Sequence, residues 1–325
     1  MKNEVDQPYD IITFGDMCVD LLVSGGDIVP RFGQEEQLVD DYTLEMGGST
    51  CIFACQAAKL GMRVGIMGKV GRDYFGRLIL KRLRSCGVDI RYVTIEKKLK
   101  TGLGIALCKE NDRSILTIMG SLNALEPGDV TAKFLNTTRH LHHGSFFLQT
   151  GLKPGIPNIF RAAKKQGITT SLDTNWDPAE NWNSTLNETL SLTDIFMPNK
   201  QELLHITKAE SLEDGIKTLH EAGVRIVVLK MGETGALLSS EGQFHYCKVT
   251  PVVGGDSVGA GDSFDAGFLA GWLRGLPLPS CLRLACGCGR SVARQIGGLR
   301  GQPSWEQALV QITDLKIFEN WGEQG

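Results

Sequence analysis

Asp256-Ser257-Val258-Gly259-Ala260-Gly261-Asp262 follows a Gly254-Gly255 pair and opens a run in which Phe264, Phe268, Leu269, Trp272 and Leu273 share the spacing of one buried helix face. The pattern predicts a helix over 264–273, entered through a turn almost free of side chains. The first amides of a helix have no acceptor inside it. Those of Gly259, Ala260 and Gly261, with the positive end of the helix dipole, form an anion site that needs no basic side chain. Asp262, at the lip, carries the anion's own sign of charge and is suited to take a proton from a hydroxyl attacking it. Aspartate at a helix start is also an ordinary cap. These residues alone leave both readings open.

The chain around this turn has 325 residues, with 42% hydrophobic and 22% charged, within the range of soluble globular proteins. A net charge of −3 gives no general attraction to nucleic acid or to an anionic membrane. No apolar run reaches the length of a membrane span, and the polar start predicts no signal peptide. Nine cysteines, an odd number spread through apparent core segments, suggest a reducing cytoplasm without disulfides. Cys286-Gly287-Cys288 and the pair Cys51 and Cys55 lack the C-x-x-C spacing and histidine pair of a zinc site. His142 and His143 are neighbours in a predicted strand and point to opposite faces.

Strands are expected at 10–14, 63–69, 140–147, 168–173, 194–197, 225–230 and 236–239. Helices are expected at 52–59, 76–84, 157–165, 212–221, 264–273, 281–294 and 305–312. Continuous apolar strands such as Ile226-Val227-Val228-Leu229, alternating with helices, predict an α/β doubly wound, mostly parallel sheet. Segments 21–46 and 101–122 break the rhythm and read as extended insertions. Paired with each other, they would make a small β-sheet lid over one domain spanning 1–325.

Ligands of such sheets bind beyond the carboxyl ends of the strands. Those ends carry Gly15-Asp16, Asp173-Thr174-Asn175, Asn199-Lys200-Gln201-Glu202 and Lys230-Met231-Gly232-Glu233-Thr234-Gly235. Neither a G-x-x-x-x-G-K-[ST] phosphate loop nor a G-x-G-x-x-G dinucleotide motif is present.

In this order the motifs resemble those of the PfkB, or ribokinase-like, family of carbohydrate and nucleoside kinases, over nearly the whole chain. Asp256 to Asp262 matches the family signature D-[ST]-x-G-A-G-D, and Asn199-x-x-Glu202 matches its N-x-x-E motif. Met46-Gly47-Gly48-Ser49 resembles its Gly-Gly switch between lid and core. The resemblance implies a ribokinase-like fold and ATP-dependent phosphorylation of a hydroxyl, with Mg²⁺ and a monovalent cation, K⁺, as cofactors. It makes Asp262 the base and Gly259, Ala260 and Gly261 the anion hole. Asp16, Gly47 and Gly48 would hold the sugar, while Lys230, Gly232, Gly235 and Asn175 would face the nucleotide. Asn199 and Glu202 would act on magnesium largely through water, and Asp256 on the monovalent cation, with 297–302 as the other wall. It also implies a homodimer through the lid.

Three departures bear on the acceptor. Ile52 stands at the asparagine position that ends the family's G-G-x-x-x-N motif. Ser49 occupies the place of the lysine found in sugar-phosphate kinases. No arginine completes D-x-N-x-R around Asn175 and Asp177, which leaves Arg113 of the lid as the basic residue on offer to an acidic sugar. An uncharged sugar with a primary hydroxyl fits these departures. Phe32, Tyr42 and Met119 would serve a nucleoside by stacking on its base, or simply pack the lid. A sugar-binding protein without catalysis would have no need of Asp262.

Overall fold

The computed structural model describes residues 8–109, 112–182, 184–252, 255 and 257–319. Its strands are β1 (Tyr9–Phe14), β2 (Cys18–Ser24), β3 (Asp41–Gly47), β4 (Val64–Gly71), β5 (Asp89–Glu96), β6 (Gly102–Lys109) and β7 (Asp112–Ile118), then β8 (Thr138–His143), β9 (Thr169–Leu172), β10 (Ile195–Phe196), β11 (Ile226–Lys230), β12 (Gly235–Ser240), β13 (Gln243–Lys248) and β14 (Lys316–Phe318). Its α-helices are α1 (Ser49–Lys59), α2 (Tyr74–Ser85), α3 (Ala132–Leu135), α4 (Ile156–Lys165), α5 (Ser184–Leu190), α6 (Lys200–Thr207), α7 (Leu212–Glu221), α8 (Ala260–Leu273), α9 (Leu278–Ala293) and α10 (Trp305–Gln311).

Ten strands form the large sheet in the order β14-β13-β12-β11-β10-β9-β8-β1-β4-β5, parallel from β11 to β5. Adjacent residues serve opposite layers. Ile11 and Val228 belong to a core with Phe53 and Phe268, whereas Ile12, Val227 and Leu229 join Phe160 and Leu203 in the other. The continuous apolar strands therefore reflect burial on both faces. Each fully buried phenylalanine contributes about 2 kcal/mol.

Four strands make a second sheet, β3-β2-β6-β7, with β2 and β6 parallel and both outer pairs antiparallel. Two chain stretches far apart in sequence thus share one small sheet.

Three details of the large sheet differ from the sequence reading. β12 runs antiparallel to β11, because the short turn Gly232–Thr234 joining them cannot make the crossover that a parallel pair requires. β8 stops at His143 rather than continuing to Phe147, since Ser145 adopts a left-handed φ of 58° and turns the chain away. The edge strands β5 and β14, and β13 beside β14, are absent from the expected set. β5 is only partly buried, and its alternating Ile90, Tyr92 and Thr94 carry the weaker signal of a half-covered strand.

The nine cysteines are free thiols. Adjacent histidines face opposite layers: His142 stacks on Phe53 and His143 on Phe14. Burial holds His142 far below its ordinary range and lowers His143 to about 4, so both are neutral packing groups.

Candidate active site

The carboxyl ends of β1, β8, β9, β10 and β11 converge on the start of α8. There Gly259 is the N-cap, with a left-handed φ of 68°. A β-carbon on it would stand 2.7 Å from Gly298 Cα and 2.9 Å from Ile52 Cγ2, so conformation and packing both require glycine. Among the described residues the amides of Gly259 and Gly261 meet no acceptor, and that of Ala260 reaches Ser257 O at 3.3 Å. Asp262 is the third residue of α8 and not its N-cap.

Asp262 is 9% exposed. Burial first, then the charge of Asp173, pushes its carboxyl up to about 7, while Lys230 and a hydrogen bond with Ser49 oppose the shift. A carboxyl so poised exchanges a proton near neutrality, the range in which general acid–base catalysis is efficient.

Ser49 links Asp262 to a polar cluster. Asn175 Nδ2 donates to Ser49 Oγ at 3.0 Å and to Ser145 Oγ at 2.8 Å, and Ser145 Oγ donates to Asp16 Oδ2 at 3.3 Å. Asn175 and Ser145 hold left-handed φ values of 56° and 58°. Such conformations cost about 1 kcal/mol each, and they persist at sites where the surroundings fix them. Asn175, expected to face the nucleotide, directs its amide to Ser49 and Ser145. Sequence reasoning missed Ser145, whose position depends on the bend that ends β8.

Asp16, expected to hold the sugar, has its carboxylate at the start of α1. Oδ2 accepts the Ser49 N–H at 3.0 Å, and Oδ1 accepts the Thr50 N–H at 3.1 Å and the Thr50 hydroxyl at 2.6 Å. It caps α1, whose own N-cap, Gly48, has no side chain to do so. Asp20, overlooked at sequence level, extends its carboxyl from lid strand β2 into the space that side chains at Gly47 and Gly104 would fill. The signal for it was a second aspartate four residues after Asp16, at the start of the lid.

Asn199 and Glu202 form a reciprocal capping box on α6. Asn199 Oδ1 accepts the Glu202 N–H at 2.9 Å, Glu202 Oε2 accepts the Asn199 N–H at 2.8 Å, and Asn199 Nδ2 donates to Glu202 Oε1 at 2.7 Å. Burial and the charge of Asp173 push Glu202 up to about 7. Lys230 turns inward, with Nζ donating to Asp173 Oδ2 at 2.8 Å and lying 3.5 Å from Asp265 Oδ2. Asp265, fully buried, escaped sequence reasoning, although a charge inside the apolar face of α8 was visible.

No group of three or more His, Cys, Asp or Glu side chains that could hold a metal exists among the described residues. Asp173 Oδ1 is nevertheless a buried acceptor without a partner in the same cleft. This set fits a hydrated magnesium ion brought by nucleotide phosphates better than a cage of protein ligands. Asp256, expected beside the monovalent cation, lies outside the described residues. Within 297–302, the other wall expected, Gly298 packs on Gly259, and Arg300 Nε pairs with Glu45 Oε1 of β3 at 2.7 Å.

Beyond the turn opens a largely apolar cavity of about 350 Å³, bordered by Gly232, Gly235, Val249, Val252, Phe264 and Ala293. Gly232 and Gly235 therefore line a pocket that ends at Ala260 and Gly261. The pocket is wide enough for a planar heterocycle with its phosphates directed at the turn. Among the described residues no helix is long and apolar enough to cross a membrane.

A family model described as pfkB family carbohydrate kinase matches residues 10–305. The 2-dehydro-3-deoxygluconokinase of Bacillus subtilis is 28% identical over 290 residues, covering 83% of this chain and 87% of that protein. The cytidine kinase of Thermococcus kodakarensis is 28% identical over 254 residues, covering 77% and 88%. A solved Escherichia coli structure described as a ribokinase II, in complex with ATP and Mg²⁺, superposes with a TM-score of 0.83 at 25% identity, covering 94% of this chain and 99% of that one. The ribokinase-like fold and these matches agree, and the chain belongs to the pfkB family of carbohydrate kinases.

Proposed function

We propose that this kinase transfers the γ-phosphoryl group of ATP to a primary hydroxyl of a small, uncharged sugar. The observation that carries this reading is the placement of Asp262. One carboxyl at the start of α8 adjoins both the free amides of the phosphate turn and the Ser49–Asn175–Ser145 cluster. The acceptor lies over that cluster, between it and Asp20 of the lid. Its hydroxyl oxygen bonds to the γ-phosphorus as the bond from phosphorus to the β–γ bridging oxygen breaks. The proton passes to Asp262, and ADP leaves. Gly259, Ala260 and Gly261 stabilise the charge on the transferred group through their N–H donors, which are fixed before the reaction begins. Asn199 and Glu202 would hold magnesium through its water shell, and the ion would supply neutralisation of phosphate charge.

Carboxylates and neutral donors line the acceptor side, and Ser49 stands where a lysine would meet a sugar phosphate, which favours an uncharged acceptor. A nucleoside is the second acceptor class. Phe32, Tyr42 and Met119 of the lid are exposed, which leaves them free to stack on a base. Exposed apolar side chains on the lid, Phe32, Leu38, Ile115 and Leu116 among them, favour pairing of two lids in a homodimer. The free thiols suit a reducing cytoplasm, and K⁺ beside 297–302 would reinforce the turn.

ATP turnover across a panel of neutral sugars, acidic sugars, sugar phosphates and nucleosides tests the reading. The expected result is turnover with a neutral sugar and its loss in Asp262→Asn. A preference for a sugar phosphate, or undiminished turnover in the variant, refutes it.

A further inference from the structure

A single ion pair ties the small sheet to the phosphate turn. Glu45 of β3 is 6% exposed, and its Oε1 accepts from Arg300 Nε at 2.7 Å. A β-carbon on Gly297 would run into Glu45 Oε2, so the carboxylate lies against that part of the loop. Gly298, the next residue, packs on Gly259, the N-cap of α8, and on Ile52 of α1. The loop is itself pinned to the core. Lys59 Nζ donates to Leu299 O at 3.1 Å, Gln302 Nε2 to Ile52 O at 2.8 Å and Ser291 Oγ to Gly301 O at 2.8 Å. Only one layer of main chain therefore separates Glu45 from the turn.

Stability is a poor explanation for a carboxylate at this place. Among the described residues its Oε2 is a buried acceptor without a partner, a costly state for a charged group. Asp20 stands directly opposite Glu45 in the β2–β3 ladder, so two carboxylates share one face of the small sheet. Like charges placed in this way repel. Arg300 offsets the repulsion, but its side chain is 60% exposed, which limits what the pair adds to stability. The location is more telling. Immediately after β3 the chain passes Gly48, whose φ is 85° and where a β-carbon would stand 2.9 Å from Asp16 O, and α1 begins beyond it. Among the described residues no hydrogen-bonded ladder joins the two sheets. The angle between them at Gly47-Gly48 is thus left to contacts such as Glu45 with Arg300.

We propose that Glu45 and Arg300 are positioning residues for phosphoryl transfer: their ion pair sets the angle at which the small sheet stands over the acceptor, and 297–300 carries that position to Gly259. The role rests on the small sheet covering the acceptor. The two side chains act through the loop and not on the substrate. Acceptor and phosphate donors come into register together, because the contact that seats the sheet also seats Gly298 on the N-cap of α8. Exposure of Arg300 keeps the contact reversible, since its guanidinium meets water at little cost when the sheet opens.

Arg300→Ala removes the pair at its exposed end, and Arg300→Lys restores a cation. Hydrogen exchange of the full chain with Mg²⁺ and AMP-PNP, read by mass spectrometry, follows 41–47 and 257–263, with melting temperature measured alongside. Arg300→Ala should speed exchange ~10-fold in both segments while the melting temperature falls by less than about 3 °C. Arg300→Lys should recover most of the protection. With the acceptor of highest turnover in the panel above, kcat/KM for that acceptor should fall ~10-fold in Arg300→Ala, with KM for ATP within about threefold. Faster exchange in 41–47 alone, or wild-type exchange in both segments, overturns the proposal. If Arg300→Ala unfolds, Arg300→Met keeps the stem of the side chain, and wild-type exchange in it overturns the proposal equally. Faster exchange in both segments with every kinetic constant unchanged would fault the small sheet as the acceptor's cover, and the positioning role with it. An absence of turnover across the panel would instead defeat the proposed function, while exchange still decides whether Glu45 and the turn are linked.

Discussion

Replacing Asp262 with asparagine should abolish turnover and, at alkaline pH, stabilise the protein. The native carboxyl has its pKa raised from 3.8 to about 7, chiefly by burial and the charge of Asp173. A group raised in this way favours folding only in its protonated form. Its stabilising influence is complete below the unfolded value of 3.8 and is lost as pH rises to about 7. Relative to the unfolded chain, the folded site therefore carries a penalty of about 2 kcal/mol at pH 5 and about 4 kcal/mol at pH 8. Asparagine has nearly the same shape, can accept the Ser49 hydrogen bond, and carries no charge. Urea unfolding of both proteins at pH 5 and pH 8 isolates the difference. Asp262→Asn should gain about 2 kcal/mol more over wild type at pH 8 than at pH 5, and lose ~10³-fold in kcat. A gain independent of pH, or a variant less stable than wild type at pH 8, would refute the assignment of a strained, buried carboxyl.

Gly259→Ala must place a β-carbon 2.7 Å from Gly298 Cα at a φ of 68°. It should cost more than about 2 kcal/mol in urea and eliminate turnover. Gly87→Ala, also at positive φ but with open space around it, should cost about 1 kcal/mol and spare kcat. Glu202→Gln should raise the magnesium concentration for half-maximal rate ~10-fold while α6 stays capped; an unchanged magnesium requirement would confine Glu202 to capping. Phe32→Glu with Leu38→Lys should convert a dimer to monomers in sedimentation. A monomeric wild type at micromolar concentration would dispose of lid pairing.

Much of the large sheet was legible because strands buried on both faces are nearly continuous apolar runs, as in Ile226-Val227-Val228-Leu229. Polar residues at their carboxyl ends then marked the cleft. What escaped depended on direction and partnership rather than on residue type. Gly232–Thr234 shows a turn, but only its brevity between two strands discloses that β12 reverses. Asp16 stands at a strand end, but that it also caps α1, which has no side chain at Gly48, shows only in the fold. Asn175 sits at a strand end like its neighbours, yet its left-handed backbone sends the amide to Ser49. Lys230 and Asp265 are 35 residues apart, and neither position alone reveals that they meet.

The division between two sheets has an evolutionary consequence. Among the described residues the hydrogen-bonded ladders of β3-β2-β6-β7 and of the ten-stranded sheet are separate, and the phosphate turn belongs to neither. On the proposed function, selection can therefore redraw the side chains of the small sheet, and with them the choice of acceptor, while the donors that would bind phosphate remain peptide groups. A lineage built this way can diversify its substrates by drift in one sheet and inherit the transfer chemistry intact.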